Sequence, residues 1–330
     1  MKKSIYIFSN GELRRKGNTL YYETNEGKRY IPVEDVGEIL IFGEVDFNKR
    51  LLEFLSQKEL LLHYFNYHGY YMGTFYPREH LNSGYMVLRQ AEHYLDEGKR
   101  LVLARQFVNG AVKNMRQVLK YYENRGRPLD KSIARIEEFA AVLANCADIQ
   151  ELMAIEGNIR ETYYSAFDTI IGDPVFAFER RTRRPPQNFL NTLISFANSI
   201  IYVAVLSEIY RTHLDPRIGY LHATNFRRLT LNLDVAEIFK PLIADRAIFS
   251  VIGRKEISEE DFESGTEGIS LKDKGKKALI TEIERKFETT FNHREIGRQV
   301  SYRRLIRLEL YKLEKHLIGE TPYEPFVARW

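Results

Sequence analysis

The stretch from Gly219 to Pro241, GYLHATNFRRLTLNLDVAEIFKP, places an imidazole, two arginines and two carboxylates close together in the chain. His222 stands near its start, and Asp234 and Glu237 stand near its end. If the end is helical, the two carboxylates share one face, because residues three apart are neighbours on a helix. Two carboxylates and an imidazole suit Mg²⁺ or Mn²⁺ as ligands. The stretch therefore predicts a metal site, although solvated acids and a structural histidine would give the same pattern.

An earlier segment, Glu151 to Ile171, has the apolar periodicity of a helix. Its apolar stripe consists of Ile159, Tyr163, Phe167 and Ile170. Glu156 falls on the stripe side, where an ionised carboxylate is costly unless it is paired or binds a metal. Glu156 is therefore a further candidate ligand, or else a partner of Arg160 or of the first helical turn.

Four motifs in this order resemble those of the CRISPR-associated integrase of spacer acquisition, a metal-dependent DNA endonuclease. They are IEGNIRETYY at 155–164, RTRRPP at 181–186, SFANSIIY at 195–202 and the stretch from Gly219 to Pro241. The resemblance runs from Ile5 to Glu320 and so covers nearly the whole chain. Several motifs in one order make it specific.

The resemblance implies three metal ligands, Glu156, His222 and Glu237, together with a neighbouring catalytic acid, Asp234. Many family members carry Asp where this chain has Glu237, which lengthens that ligand by one methylene. Asp234 could support the ligands from outside or hold a second ion. The implied reaction is a transesterification, in which a 3′-hydroxyl attacks a phosphodiester at the end of a CRISPR repeat. The reverse reaction, or attack by water, would cleave branched DNA. If His222 does not bind the metal, it could orient the phosphate or transfer a proton.

Arginines flank these motifs and are candidates for contacts with DNA phosphates. The candidates are Arg181, Arg183, Arg184, Arg227 and Arg228. Prolines hold the first three out of a helix. Ion pairs within the protein are the alternative, with Asp234 available to Arg227 or Arg228. Asp168, Asp173 and Glu179 are the acids available to the earlier group.

Composition is that of a soluble globular protein in a reducing compartment. The chain has 330 residues, a net charge of +4 and a single cysteine, Cys146, so no internal disulfide is possible. Its first residues lack the long apolar run of a signal peptide. Charges interrupt the apolar stretches, so we expect no membrane span and a cytoplasmic location.

The patterning predicts an α+β protein in which a small, mainly β N-terminal domain precedes a larger all-α catalytic domain. The expected domains are 1–77 and 91–330, joined by a linker over 78–90. Short apolar runs such as Ile5–Phe8 and Leu60–Phe65 read as strands, with one helix between Asn48 and Gln57. His63, His68 and His80 are assigned to structure.

Helical periodicity dominates after residue 85. The expected helices are 87–95, 100–122, 132–145, 151–171, 188–210, 234–251 and a basic region over 279–319. Residues 253–275 are polar and predict a mobile excursion. The aromatic tail, 323–330, is expected to dock on the helical domain.

The resemblance implies several partners: double-stranded and branched DNA, a second copy of the chain joined through the N-terminal domain, and a second small CRISPR adaptation protein that bridges two dimers. A membrane is not expected. Two other functions compete. One is a catalytically silent DNA-binding subunit, whose carboxylates only brace the helices. The other is a tyrosine recombinase, which the acidic cluster disfavours.

Overall fold

The computed structural model describes residues 2–78, 81, 83–183, 185–222, 229–265, 268–293 and 297–329. The chain divides into two compact units, Met1–Asn82 and Ser83–Trp330. A helix begins at Gly84, where the Ser83 hydroxyl accepts the N–H of Met86 at 3.2 Å. Part of the segment expected to be a linker, 78–90, therefore belongs to this helix of the second unit.

Eight strands and one helix form the first unit, which matches the expected β-rich domain. The elements are β1 Lys3–Ile7, β2 Gly11–Lys16, β3 Thr19–Thr24, β4 Gly27–Pro32, β5 Val36–Ile41, β6 Val45–Phe47, α1 Lys49–Gln57, β7 Leu61–Phe65 and β8 Tyr71–Phe75. One sheet has the order β1-β5-β7-β8, with β8 antiparallel, and the other has the order β4-β3-β2-β6. Strand β5 is buried along its whole length because β1 and β7 pair with its two edges.

The predicted structural role of His63 fits its surroundings in this unit. Its ring is fully buried, and Nδ1 lies 2.7 Å from the Thr74 hydroxyl across the β7–β8 pair. Glu38 on β5 lies 3.6 Å from Nε2 and accepts a bond from Ser4 at 2.6 Å. The imidazole is thus part of a polar network inside the sheet.

The second unit is mainly helical, and this confirms the expected fold class. Its helices are α2 Gly84–Leu95, α3 Glu97–Glu123, α4 Asp130–Val142, α5 Ile149–Ser165, α6 Phe167–Ile171, α7 Phe189–Ile209, α8 Leu231–Phe239, α9 Arg246–Gly253, α10 Asp273–Glu288 and α11 Tyr302–Leu317. Two hairpins accompany them: β9 Phe262–Gly265 with β10 Gly268–Leu271, and β11 Thr290–His293 with β12 Arg298–Ser301.

Two expected helices are divided. Within the segment 151–171, one helix ends at Ser165 and the next begins at Phe167, so α5 and α6 are separate. The segment 234–251 is interrupted by a π-helical turn, Pro241–Asp245, between α8 and α9. Pro241 causes the second break, because its nitrogen has no hydrogen to continue the α-helical pattern.

In the described residues, the expectation for 253–275 is wrong, and the expectation of helix over 279–319 holds only on either side of a hairpin. In the first, β9 and β10 form a hairpin that is fixed to the rest of the unit. The Ile269 amide donates to the carbonyl of Pro186 at 3.1 Å, and the Thr192 hydroxyl donates to the Ile269 carbonyl at 3.2 Å. In the second, the β11–β12 hairpin separates α10 from α11. The two strands, TFNH and RQVS, are short and mostly polar and carry little apolar periodicity, so the flanking helical pattern concealed the hairpin.

Helix α7 lies at the centre of the helical unit. Residues 189–207 contain no charged side chain, so the expectation that charges break every apolar stretch is wrong here. By length and composition α7 could cross a membrane, but 78% of its apolar window is buried inside the protein. Burial by the surrounding helices explains the composition of this core helix.

The C-terminal tail docks on the helical unit, as expected. The Tyr323 hydroxyl donates to Glu309 at 2.8 Å, and the amide of Ala328 donates to Asn114 Oδ1 at 2.9 Å. Asn114 in turn donates from Nδ2 to the carbonyl of Ile238, at 3.0 Å, within α8. The tail and α3 therefore brace the helix that carries Asp234 and Glu237.

Candidate active site

Asp234 organises the segment that precedes α8. Its buried carboxylate accepts backbone N–H bonds from Tyr220, Leu221 and His222, the last two at 3.0 Å. It also lies 2.7 Å from Nδ1 of the His222 ring. An ionised carboxylate only accepts hydrogen bonds, so Nδ1 carries the proton and Nε2 retains its lone pair. Asp234 therefore fixes the tautomer and the orientation of the His222 ring.

Gly219 lets this segment approach the start of α8. A Cβ at this position would lie 2.7 Å from the backbone carbon of Thr230 and 2.8 Å from the Asp234 carboxylate. The Gly219 amide donates to the Thr230 hydroxyl at 2.9 Å, which holds the two pieces of backbone together. Any side chain at 219 would therefore separate His222 from the carboxylate that orients it.

Glu156 on α5 and Glu237 on α8 meet at a single guanidinium group. Nη2 of Arg160 contacts both Oε1 of Glu156 and Oε2 of Glu237, while Nε of Arg160 lies 2.6 Å from Oε1 of Glu156. Because the two oxygens share one nitrogen, they lie within two hydrogen-bond lengths of each other. Two carboxylates that are distant in sequence are thereby brought together.

Glu237 is buried among positive charges. Nζ of Lys240 lies 2.5 Å from its Oε1 and 4.5 Å from the centre of the Tyr202 ring. Burial opposes ionisation of Glu237, but the charges of Arg160, Lys240 and His222 outweigh it and lower its pKa to about 2. Asp234, which holds the His222 ring, lies three residues before Glu237 on α8, so the imidazole is tied to the same helix as Glu237.

The chemistry of these donors fits a divalent cation, but their arrangement includes a competitor. Carboxylate oxygens and a neutral imidazole nitrogen are suitable ligands for Mg²⁺ or Mn²⁺. Among the described residues, however, no group of three or more His, Cys, Asp or Glu side chains stands arranged to hold a metal ion. The guanidinium of Arg160 occupies the position between Glu156 and Glu237. An ion that binds both carboxylates would therefore compete with this guanidinium.

A further buried carboxyl, Asp245, lies in the π-helical turn after α8. Burial raises its pKa to about 7, although the Tyr163 hydroxyl and the charges of Arg160 and Lys240 act in the opposite direction. Its side chain is almost wholly buried. π-Helical turns are frequent at functional sites, and this one ends beside the charged cluster.

Arg181 is a half-buried cation whose side-chain partners in the described part of the chain are neutral groups. It donates to Asn191 Oδ1 at 2.9 Å and to the Ser195 hydroxyl at 3.1 Å, both on α7. Within the described part of the chain it forms no ion pair with a carboxylate. Burial lowers the pKa of Arg181, and the charges of Arg183 and Arg160 lower it further. A half-buried cation with neutral partners is suited to bind an anion.

Of the four other candidate arginines, one lies among the residues that the structure describes. Arg183 is exposed. Arg184, Arg227 and Arg228 lie outside the described residues. Two of the three acids considered as partners of the earlier group accept backbone bonds: Asp168 accepts the N–H of Phe178 at 2.8 Å, and Asp173 accepts the N–H of Val175 at 3.0 Å.

Sequence reasoning did not assign a site role to Arg160 or Lys240. Arg160 follows Glu156 by four residues and Lys240 follows Glu237 by three, so helical spacing already places each cation beside its acid. The sequence thus contained a signal for both pairs. It did not contain the contact between Arg160 and Glu237, which belong to different helices.

These features define a class of two-unit proteins: a β-rich N-terminal unit followed by a helical unit that holds carboxylates beside an oriented imidazole. The family model described as "CRISPR associated protein Cas1" matches residues 5–285 of the chain. The chain belongs to the Cas1 family, and the resemblance expected from its motifs is confirmed.

Similar proteins share this architecture over nearly their full length. The CRISPR-associated endonuclease Cas1 2 of Thermodesulfovibrio yellowstonii is 62% identical over 100% of both chains. The solved Cas1 structure from Thermotoga maritima has a TM-score of 0.88 and 50% identity, and the match covers 98% of this chain and 100% of that one.

Two more distant structures share the fold. A casposase bound to integration product has a TM-score of 0.88 at 19% identity, covering 99% of this chain and 93% of that one. A chain of a Cas6-RT-Cas1–Cas2 complex has a TM-score of 0.86 at 16% identity, with 100% of this chain and 36% of that chain covered. At these identities the likeness concerns the fold alone.

Proposed function

We propose that this protein is a divalent-metal-dependent DNA endonuclease and integrase that inserts captured DNA fragments as spacers into a CRISPR array. Membership of the Cas1 family supports the proposal, as does the name endonuclease carried by its relative in Thermodesulfovibrio yellowstonii. The observation that carries it is the meeting of Glu156 and Glu237 at one guanidinium, with Glu237 on the helix whose Asp234 orients the ring of His222. These residues come from separate parts of the chain and have the chemistry of a metal centre for phosphodiester reactions.

In the proposed joining step, the 3′-hydroxyl of a fragment attacks a phosphodiester at a repeat end. A bond forms between phosphorus and the attacking oxygen while the bond to the former 3′-oxygen of the repeat strand breaks. The attacking hydroxyl releases its proton, and the departing oxygen takes one up. Glu156, His222 and Glu237 would hold Mg²⁺ or Mn²⁺, which when bound would supply charge neutralisation for the phosphate and the departing oxygen. Water in place of the 3′-hydroxyl gives cleavage.

The surrounding side chains position these ligands and the DNA. Asp234 holds His222 so that Nε2 is the nitrogen available for binding. Lys240 keeps one oxygen of Glu237 engaged, which limits the rotation of that carboxylate. Arg181, whose charge has no acidic partner among the described residues, is suited to bind a phosphate oxygen next to the reacting group.

The test is a half-site integration assay and a branched-DNA cleavage assay with Mn²⁺, applied to Glu156→Gln and Glu237→Gln. Glu282→Gln is the matched control, because Glu282 is also a buried glutamate that is paired with several cations in the helical unit. Both site variants should lose joining and cleavage while they retain duplex binding. The control should retain all three, and excess EDTA should stop joining and cleavage by the unaltered protein.

A catalytically silent DNA-binding subunit is the alternative outcome. Unchanged joining and cleavage in both glutamate variants, or persistent activity in EDTA, would remove the metal-centre proposal. If the unaltered protein binds DNA but neither cuts nor joins it under any divalent metal, the silent subunit is the correct description. A covalent tyrosine–DNA adduct that survives denaturation would identify a recombinase instead.

The proposed partners are DNA, a second copy of the chain and the small protein Cas2. Apolar side chains exposed on the first unit support a protein interface there, with Tyr67 at 66% exposure and Met72 at 55%. We expect the chain to sediment as a dimer, and a double change, Tyr67→Lys with Met72→Lys, to produce monomers. A dimer that withstands both changes would show that this surface is not the interface. Co-purification with Cas2 tests the remaining partner.

A further inference from the structure

Arg160 holds the two carboxylates that the proposed metal centre needs. Its Nη2 contacts Oε1 of Glu156 and Oε2 of Glu237, and its side chain is only 9% exposed. We propose that Arg160 competes with the divalent ion for these carboxylates. A DNA phosphate relieves the competition because it accepts the hydrogen bonds of the guanidinium in place of the carboxylates. The inference rests on the proposed metal centre and adds a coupling between metal binding and DNA binding.

The charges of the cluster supply the first part of the argument. Glu156 and Glu237 are balanced by Arg160 and Lys240, so the four side chains are neutral together. A divalent ion bound beside them would add two positive charges to a buried cluster. The repulsion falls if Arg160 leaves, but a guanidinium released in a buried position needs a new anionic partner.

The individual oxygens supply the second part. Lys240 engages Oε1 of Glu237 and Arg160 engages Oε2, so both oxygens of this carboxylate already have a cationic partner. The ammonium of Lys240 also faces the ring of Tyr202. A divalent ion bound to either oxygen of Glu237 would therefore lie next to one of these two cations and compete with it for the carboxylate. Arg160 is the candidate for displacement because it alone shares the second ligand, Glu156.

A phosphodiester is the anion that best fits the released guanidinium. The planar fork of an arginine matches two phosphate oxygens, and the bonds are strengthened by charge. Arg181, whose charge acts on the same neighbourhood as that of Arg160, adds a further attraction for an anion. When a phosphate binds, the carboxylates become available to the ion. Each ligand therefore raises the affinity for the other by the same factor.

The experiment measures Mn²⁺ affinity directly, from the electron paramagnetic resonance signal of free Mn²⁺ in titrations of chelator-stripped protein. The unaltered protein and Arg160→Gln are titrated with and without a duplex DNA that the protein does not cut. Without DNA, Arg160→Gln should bind Mn²⁺ about tenfold more tightly, within the range usual for coupled sites. DNA should tighten Mn²⁺ binding in the unaltered protein by a similar factor and should have little effect in the variant.

Arg254→Gln is the matched control. Arg254 also pairs with two glutamates, Glu256 and Glu282, but its side chain is 43% exposed. Its replacement should leave Mn²⁺ affinity unchanged both with and without DNA. Arg160→Lys keeps the charge and should resemble the unaltered protein more closely than Arg160→Gln does. Circular dichroism and melting temperature establish that each variant is folded.

Two results would overturn the inference. One is a folded Arg160→Gln variant that binds Mn²⁺ no more tightly than the unaltered protein does. The other result, which needs no variant, is that DNA does not change the Mn²⁺ affinity of the unaltered protein. If Glu237→Gln abolishes both Mn²⁺ binding and DNA cleavage while either result holds, the proposed function stands and only the role of Arg160 fails. Cleavage in EDTA without detectable Mn²⁺ binding would instead remove the proposed function itself.

Discussion

Two clusters in the helical unit have nearly the same pairing chemistry. In one, Arg160 joins Glu156 to Glu237, and Lys240 adds a second cation. In the other, Arg254 joins Glu256 to Glu282, and Arg285 and Lys286 contribute further cations. Ion pairing by itself therefore does not distinguish a candidate active site from a structural cluster.

Burial and neighbours make the difference. The side chain of Arg160 is 9% exposed and that of Glu156 is 17% exposed, whereas those of Arg254 and Glu256 are 43% and 42% exposed. Only the first cluster has, among the described residues, an imidazole whose tautomer is fixed by a buried carboxylate. The comparison shows that sequestration from water and a third donor of another chemical type define the candidate centre.

The largest expected effect is a difference in the rates of cleavage and joining between variants of two buried glutamates, Glu237 and Glu282. Glu237→Gln should lower the rates of cleavage and joining by about 100-fold or more, the scale on which loss of charge stabilisation acts in other enzymes. Glu282→Gln should leave both rates within a factor of about two. The rates are measured at saturating Mn²⁺ with variants shown to be folded. Equal losses in both variants would mean that the two clusters do not differ in function.

The next effect concerns the imidazole that only the first cluster has. Asp234→Asn would weaken the bond that holds His222 Nδ1–H, so a fraction of the rings would adopt the other tautomer. We expect about a 10- to 100-fold loss of Mn²⁺ affinity or of cleavage rate, as is usual when the residue that orients a metal ligand is changed. Calorimetric titration with Mn²⁺ measures the affinity. An unchanged affinity and rate would show that the orientation of His222 is unimportant.

A third prediction uses Asp245, whose pKa is raised from 3.8 to about 7 beside the first cluster. Between these values the folded protein keeps a proton that the unfolded chain has lost. The free energy of unfolding should therefore fall as the pH rises from about 4 to about 7, by an amount on the order of 4 kcal/mol. Asp245→Asn should remove this dependence and raise the melting temperature at pH 8. If the melting temperatures of the unaltered protein and of Asp245→Asn depend on pH in the same way, the prediction is contradicted.

The smallest expected effect is on the free energy of unfolding, and it comes from the exposed ion pairs of Arg254. Arg254→Gln should reduce the free energy of unfolding by about 1 kcal/mol or less, because Glu282 keeps Arg285 and Lys286 and water screens the exposed guanidinium. Arg160→Gln should cost about 3 kcal/mol, because it removes a partner from a buried pair. Urea denaturation in the presence of EDTA compares the two. A larger cost for Arg254 would reverse the proposed ranking.

Much of the architecture followed from local patterns. Apolar runs separated by turns predicted the strands of the first unit, and the three- and four-residue spacing predicted most of the helices. The pattern failed where flanking helices concealed a hairpin of short polar strands, between α10 and α11. At α7 the spacing correctly predicted a helix over 188–210. The expectation that failed there is that charges interrupt every apolar stretch, because neighbouring helices cover this uncharged helix.

The sequence by itself determined which chemical groups were available: Glu156, His222, Asp234 and Glu237 stand in an order that resembles the Cas1 pattern, and helical spacing pairs Glu156 with Arg160 and Glu237 with Lys240. Only the tertiary structure decided that Arg160 reaches across to Glu237 and that Asp234 faces the ring of His222. The physical reason is that periodicity reports which face of a helix a residue occupies, whereas the partner across an interface depends on how two helices pack.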